Sequence, residues 1–498
     1  MSFPRVPIPA LLVAAHLVQP VSAQVAFEDV SRNLPEHVYL GGWEHFVGGG
    51  VAVFDCNGDA LPDMLAAGGE SPAILLVNEG EMRFSPAPLP EMDHTTGAYP
   101  LDVDGDGNID LMVLRLGENM LLRGDGACGF APANADWGFE GADRWSTAFS
   151  ATWEGDTLVM AVGNYVDRLD PDGPFEACDR NDFYRQQDGR FTHEVLEPGY
   201  CALSMLFARD ATGTMRLRIS NDRHYYIRDG HEQMYDLAQR RFLGPQDGWA
   251  EVKLWGMGIA SRDITGDGRA EVMLTSMGDQ LLQIAGADGL YHAAPYAIGT
   301  YAQRPHLGDD GRPSTGWHAE FGDLDNDGRA DLFIAKGNVD QMPENAIEDP
   351  NSLLLQQPDG TFREISVEAG VASTARSRGA ALEDFDGDGR LDLVVVNRRA
   401  PIELYRNVTE DTGHWLKVAL RQPGVNSRAI GAVVSVTTPD GTQVQEVTVG
   451  GGHAGGSDGP LHFGIGAAQR IAVSVAWPDG RVTEVADVAA DRVLVLEP

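Results

Sequence analysis

Along this 498-residue chain the apolar positions come in short runs, each cut off by an acidic, glycine-rich loop. Residues 379–382 are small and apolar and lead into Asp384-Phe385-Asp386-Gly387-Asp388-Gly389-Arg390-Leu391-Asp392, and residues 393–396 leave it as a Leu-Val-Val-Val run. Runs this short, rich in β-branched residues and bounded by turn formers, predict strands rather than helices. A turn such as Pro358-Asp359-Gly360 then introduces a further strand at Thr361-Phe362. The same grammar starts near residues 55, 102, 152, 210, 263, 323 and 384, which makes seven units of about 47 to 61 residues. About four short strands per unit, repeated at that period, describe the blades of a β-propeller. Residues 24–50 precede the first loop and are expected to supply a strand to the last blade, closing the ring without a free edge.

Beyond residue 412 the acidic loops stop. Residues 415–420, 432–437, 443–449 and 471–477 alternate or run apolar between turns such as Pro478-Asp479-Gly480. The predicted fold class is all-β: a seven-bladed propeller over residues 24–412, then a small β-sandwich-like C-terminal domain over residues 413–498.

The loops carry their own chemistry. Asp102, Asp104, Asp106 and Asp110, then Asp323, Asp325, Asp327 and Asp331, then Asp384, Asp386, Asp388 and Asp392 follow the pattern DxDxDGxxD. Carboxylates at positions 1, 3 and 5 place hard oxygens around one point, glycine at 6 allows a sharp turn, and the carboxylate at 9 closes the shell. That pattern describes an oxygen cage for Ca²⁺. An EF-hand is excluded, because it needs a Glu at position 12, where these loops have Val113, Ile334 and Val395. Two copies are weaker. Asp55, Asn57, Asp59 and Asp63 have Ala60 at the turn glycine, and Asp263, Thr265, Asp267 and Glu271 soften two ligands. The units around Asp156 and Asp210 keep the frame without the cage. The expectation is three to five structural Ca²⁺ ions.

Charge narrows the partners. Asp and Glu number 74 against 37 Lys and Arg, a formal net charge of −37, which repels nucleic acid and anionic membrane surfaces. The expected partners are extracellular protein or carbohydrate, with the chain itself a monomer and no membrane span. Residues 1–23 combine Arg5, an apolar stretch at residues 10–15 and the small-residue site Val21-Ser22-Ala23. They read as a signal peptide cleaved after Ala23, giving a secreted or periplasmic protein. Four cysteines allow three pairings in an oxidising compartment. Cys178 with Cys201 is the local choice, and free buried thiols are the alternative.

With these residues in hand, the repeats resemble FG-GAP/VCBS repeats, the units of the integrin-α-type propeller, across about residues 40 to 412. Arg428-Ala429-Ile430-Gly431, Gly450-Gly451-Gly452, Leu461-His462-Phe463-Gly464-Ile465-Gly466 and Trp477-Pro478-Asp479-Gly480 together resemble the ASPIC/UnbV domain. The order of the two modules is similar to that of secreted cartilage-acidic-protein-like proteins. The resemblance implies calcium in the blade loops and a binding or adhesion role.

No GxSxG elbow, HExxH helix or phosphate-binding loop is present, so no catalytic residue is assigned. Arg223, His224 and Tyr225, followed by Glu232 and Gln233, form the one unusual cluster. It reads as packing between blades, with a ligand-binding cluster as the alternative. On that alternative the chain is an extracellular polysaccharide lyase or hydrolase.

Overall fold

A computed structural model describes residues 24–498 apart from residues 172, 175, 223–228, 302–303, 309–310 and 340–341. The signal-peptide assignment and the Arg223, His224, Tyr225 cluster lie outside the described residues.

The strands of the repeat region fall into seven antiparallel groups of four, one per sequence unit; the second and third are joined into one eight-stranded sheet where Asp143–Trp145 pairs with Leu116–Glu118, and the first gains Ser457–Asp458 as a parallel fifth strand. Their innermost strands are Val51–Phe54, Thr95–Leu101, Asp143–Glu154, Ala202–Arg209, Gly256–Arg262, Gly316–Gly322 and Arg376–Glu383. Each packs beside the next, and the last packs beside the first. Hydroxyls stitch neighbours together: Thr96 Oγ1 donates to the Ser146 carbonyl (2.7 Å), Thr147 Oγ1 to that of Ala202 (2.7 Å) and Thr275 Oγ1 to that of Trp317 (2.5 Å). Between last and first, the Gly379 amide donates to the Gly49 carbonyl at 3.0 Å. The ring is the propeller that the repeat predicts.

The closing strand is Phe27–Asp29. It pairs antiparallel with Glu403–Asn407, Phe27 opposite Asn407 and Asp29 opposite Tyr405, and so completes the seventh sheet. Segments far apart in the chain thereby share one sheet, and the edge that would otherwise be left open is covered.

Residues 414–496 build two further sheets, of three and four strands, around a common core of Leu416, Val434, Phe463, Val473 and Trp477. Trp477 is buried over its turn, where the Gly480 amide donates to the Trp477 carbonyl at 3.0 Å.

One departure from the sequence reading matters most. The strand expected over residues 443–449 ends at Glu446, and the chain then leaves the sandwich and enters the axis of the ring. Val449 bridges Ala151, Gly450 bridges Leu206, Gly452 bridges Ile259 and Gly455 bridges Ala98. Ser457 and Asp458 then run parallel to Val53 and Phe54. The His453 amide donates to His318 Nδ1 at 3.1 Å. The segment thus touches the inner strands of blades one to six. Glycine is required here by close approach: a Cβ on Gly50 or Gly97 would collide with the Ala454 carbonyl, and one on Gly455 with that of Val51. Deeper along the axis, Phe46, Trp145, Tyr165, Leu203 and Trp317 fill the channel from the other side.

Candidate metal centres

Strand register positions the cages. In blades two, six and seven, position 9 of the loop opens the second strand and pairs with the residue just before position 1: Asp110 with Leu101, Asp331 with Gly322 and Asp392 with Glu383. Positions 1 and 9 are therefore held side by side by the sheet, and the turn folds position 3 back toward them. Asp102, Asp104 and Asp110 offer carboxylate oxygens within 4.8 Å of one another, as do Asp323, Asp325 and Asp331, and Asp384, Asp386 and Asp392.

Backbone amides fix these carboxylates in advance. Asp102 accepts from Gly105 (2.8 Å) and Gly107 (2.9 Å), and Asp384 accepts from Asp388 (3.0 Å) and Gly389 (2.8 Å). Asp331 accepts from Leu324 (3.0 Å) and Gln356 (2.9 Å), and Asp110 and Asp392 make the equivalent pairs of bonds. Burial pushes the Asp110 carboxyl up to about 7 and those of Asp331 and Asp392 well above the usual carboxylate range, the neighbouring loop carboxylates adding to the shift. Positions 1 and 9 are buried, while Asp104 is exposed and pairs with Arg123 at 3.1 Å, and Asp386 pairs with Arg406 at 2.6 Å. Three grouped carboxylates are a donor set suited to a hard cation such as Ca²⁺.

Position 5 departs from the expectation. Asp327 and Asp388 pair with Arg329 and Arg390, two residues on, and Asp106 accepts from Asn108 Nδ2 at 3.0 Å. A cation or amide at position 7 competes for the fifth-position carboxylate, so the structure groups positions 1, 3 and 9 and leaves 5 outside.

The weaker loops keep the frame. Asp55 accepts from Gly58 (2.7 Å) and Ala60 (2.9 Å), Asn57 Nδ2 donates to Asp59 (3.0 Å), and burial pushes Asp63 up to about 6. Ala60 takes φ of 67°, the left-handed turn that Gly107 takes at 90°. Asp263 accepts from Gly266 (2.8 Å) and Gly268 (2.9 Å), Glu271 is pushed up to about 7 by burial, Thr265 Oγ1 stands 3.5 Å from Glu271, and Asp267 pairs with Arg269. Neither loop gathers three carboxylates. In the fourth unit Asp210 is taken by Arg216 at 2.7 Å, and in the third Asp156 sits exposed in a hairpin turn.

The cysteines form two disulfides, Cys178–Cys201 as favoured from sequence and Cys56–Cys128, which ties the first acidic loop to blade two. The free-thiol alternative is overturned, and Cys56 and Cys128 beside Asp63 are no metal ligands. Two disulfides fit an oxidising compartment. No helix among the described residues is long and apolar enough to cross a membrane.

The sandwich sits directly on the acidic loops. The Gly413 amide donates to the Asp325 carbonyl (2.9 Å), that of Gly466 to Asn326 (2.8 Å), and Lys417 Nζ lies 2.8 Å from Asp384. Ser427 Oγ donates to Asp102, and Arg428 donates to the Gly107 carbonyl at 3.2 Å. Sequence reasoning missed this platform and the axial segment. The one available signal was the run of small residues from Gly450 to Gly456, interrupted by His453 alone.

Ring, loops and sandwich define a class: an all-β propeller whose acidic-loop face carries a C-terminal β module. Comparison with known proteins agrees. The FG-GAP-like repeat family matches residues 55–113 and 323–395, and the ASPIC and UnbV family matches residues 422–498. The chain therefore carries FG-GAP-like repeats followed by an ASPIC and UnbV domain. It is similar to cartilage acidic protein 1 of Mus musculus, 27% identical over 35% of this chain and 27% of that protein. The Homo sapiens protein of the same name is 27% identical over 32% and 24%. The chain matches about a quarter of the length of these relatives. Among solved structures, an Agrocybe aegerita lectin described as recognising non-reducing terminal N-acetylglucosamine aligns with a TM-score of 0.31 and 16% identity, over 77% of this chain and 88% of that one.

Proposed function

We propose that this chain is a secreted or periplasmic, calcium-stabilised propeller that serves as a binding or adhesion module for extracellular protein or carbohydrate. One observation carries the reading: three loops at equivalent places in the ring each gather three carboxylates within 4.8 Å. Asp102, Asp104 and Asp110, and their counterparts in blades six and seven, would hold the ions. Bound calcium neutralises the buried charge and pins the turn, so its binding free energy adds to folding free energy.

The geometry also favours one face for the partner. Strands alternate direction, so the acidic loops all emerge on one face, which the sandwich covers, while residues 449–458 occupy the axis. On the opposite face, the described residues of the longer connections after Asn164, Ala293 and Lys336 expose Leu169, Leu307 and Ile347.

The test is metal analysis of residues 24–498 together with thermal melts in calcium and after chelation. Three to five Ca²⁺ per chain and a sharp fall in melting temperature on chelation are expected. A metal-free protein with an unchanged melt overturns the reading.

A further inference from the structure

A cavity of about 360 Å³ lies where the sandwich meets blades four to seven, apart from the grouped carboxylates of the loops and from the free face. Its floor is the axial segment at Gly450, Gly451 and Gly452, and its rim includes the exposed Gly213 and Gly268 of loops four and five. The opening sits beside the fourth unit, where the acidic loop is degenerate and Asp210 is bound to Arg216. The size and the interdomain position are those of a small-molecule site.

Its walls are unusual in one respect. Arg262 ends the inner strand of blade five, is partly buried, and lines the cavity. Its guanidinium has five donors, yet among the described residues no hydrogen bond or ion pair meets them. Its contact is the face of the Phe463 ring, at 5.9 Å. Asp263 and Asp323 act on it from beyond ion-pair distance. A half-buried guanidinium with no protein acceptor keeps its donors for what enters the cavity. The remaining wall carries both signs, Arg209 and Arg269 standing with Glu320, Glu383 and Glu446. Glu320 receives His318 Nε2 at 3.2 Å and the Leu382 amide at 3.0 Å, and Glu383 and Glu446 stand beyond it. The aliphatic side chains of Ile259 and Leu382 complete the lining.

This combination selects among ligands. Glu383 and Glu446 are already held by Lys417 and Arg209, so an anion would satisfy Arg262 and face Glu320, and a cation would satisfy Glu320 and face Arg262. A neutral molecule with many hydroxyls accepts from Arg262 and donates to Glu320 with the same kind of group, and lays its C–H faces on Ile259 and Leu382. We propose that this cavity is a carbohydrate site for one or two sugar rings, with Arg262 and Glu320 as the residues that read the hydroxyls. The site does not depend on the loops holding calcium.

The test uses residues 24–498 and four probes, glucose, galactose, N-acetylglucosamine and maltose, with saturation-transfer NMR to detect binding and calorimetry to measure it. At least one probe is expected to bind. Arg262→Gln should then weaken it tenfold or more and Glu320→Gln about threefold, with the melting temperature of each variant checked in the absence of sugar. Glu320→Gln keeps an oxygen for the Leu382 amide, so it remains informative if the arginine variant folds poorly. No transfer to any of the four probes overturns the proposal. Binding that survives both substitutions also overturns it, because the sugar then lies elsewhere, such as on the free face. A metal-free result in the calcium experiment leaves this one intact, so the two proposals fail separately.

Discussion

Blades two, six and seven differ from blades three and four by a handful of residues at one turn, and the sandwich treats them differently. On the first group it rests on the loops themselves: Ser427 on Asp102, the Gly413 and Gly466 amides on Asp325 and Asn326, and Lys417 on Asp384. On the second it meets the inner strands, through Val449 bridging Ala151 and Arg209 bonding the Gly431 carbonyl at 3.2 Å, as it also does at Ala98 of blade two and His318 of blade six. The comparison teaches that the acidic turn has two jobs in one shape. It gathers carboxylates, and the same turn presents backbone carbonyls outward as a landing surface. A unit that loses the carboxylates loses the landing surface with them.

The comparison breaks most severely if the axial segment alone holds the two modules together. Gly455→Val places side-chain carbon against the Val51 carbonyl with no room to shift. A loss of stability above about 4 kcal/mol is expected, since both overpacking and loss of the neighbouring bridges contribute. Limited proteolysis should then cut between residues 446 and 460. A wild-type melt for this variant would mean that the loop platform suffices.

The next effect separates cage from platform. In calcium, Asp331→Asn should cost about 2–3 kcal/mol and one bound ion, because it removes a charged acceptor from a buried site. After chelation the penalty should vanish, because burial already holds the Asp331 carboxyl well above the usual carboxylate range and favours its neutral form. Asp156→Asn, in the exposed turn of the third unit, should stay within about 0.5 kcal/mol in either condition. Equal penalties for Asp331→Asn with and without calcium would assign the carboxylate to the platform alone.

Much of this was legible in sequence, and the reason is locality. The pattern DxDxDGxxD spans nine residues and sets both a turn and a ligand group, so its three full and two weaker copies, with two degenerate units in the same frame, announce the ring, and the three full copies announce the strongest cages. The closing strand was legible too, because a ring of sheets needs its last edge covered and residues 24–50 stood spare. The axial segment was not. Residues 443–449 alternate like any sandwich strand, and Ser150 and Val449, which meet in the axis, lie 299 positions apart. Glycines carry no side-chain pattern that names a destination. The withdrawal of Asp327 and Asp388 from the cages was also hidden, since it depends on which of several nearby charges Arg329 and Arg390 choose.

Acid should act on the axis before it acts on the loops. His453 is fully buried, and burial, reinforced by Arg378 and His318, holds its imidazole down at about 3. Its unfolded value is near 6.5, so the neutral form is stabilising above pH 6.5 and that contribution falls away as pH drops toward 3. At pH 5 the loss is about 2 kcal/mol. His453→Asn should flatten the stability profile between pH 6.5 and 5 relative to wild type, as read from melts in matched buffers. The buried carboxyls of Glu383 and Glu446, both pushed up to about 7 by burial, act in the opposite sense and lose stability as pH rises from about 4.5 to 7. They are common to both proteins and cancel in the difference. Parallel profiles would show that His453 does not report the axis.

The smallest effect tests the comparison inside a single loop. Ala60 holds φ of 67° at the position where the strong loops place glycine, and an L-residue there is strained by about 1–2 kcal/mol. Ala60→Gly removes that strain and adds freedom to the unfolded chain worth about 0.4–1 kcal/mol, so the net gain should be at most about 1.6 kcal/mol. Around the turn, Asp55, Asn57 and Asp63 already stand at positions 1, 3 and 9, with Asp55 accepting the Ala60 amide at 2.9 Å and Asp63 that of Cys56 at 2.9 Å. A relaxed turn should therefore raise calcium affinity at this loop, visible as a larger melt shift per unit of added calcium than in wild type. A gain in stability that is the same with and without calcium would mean that relieving the strain does nothing for calcium, and that the missing carboxylate at position 3, not strain, separates this loop from the three strong ones.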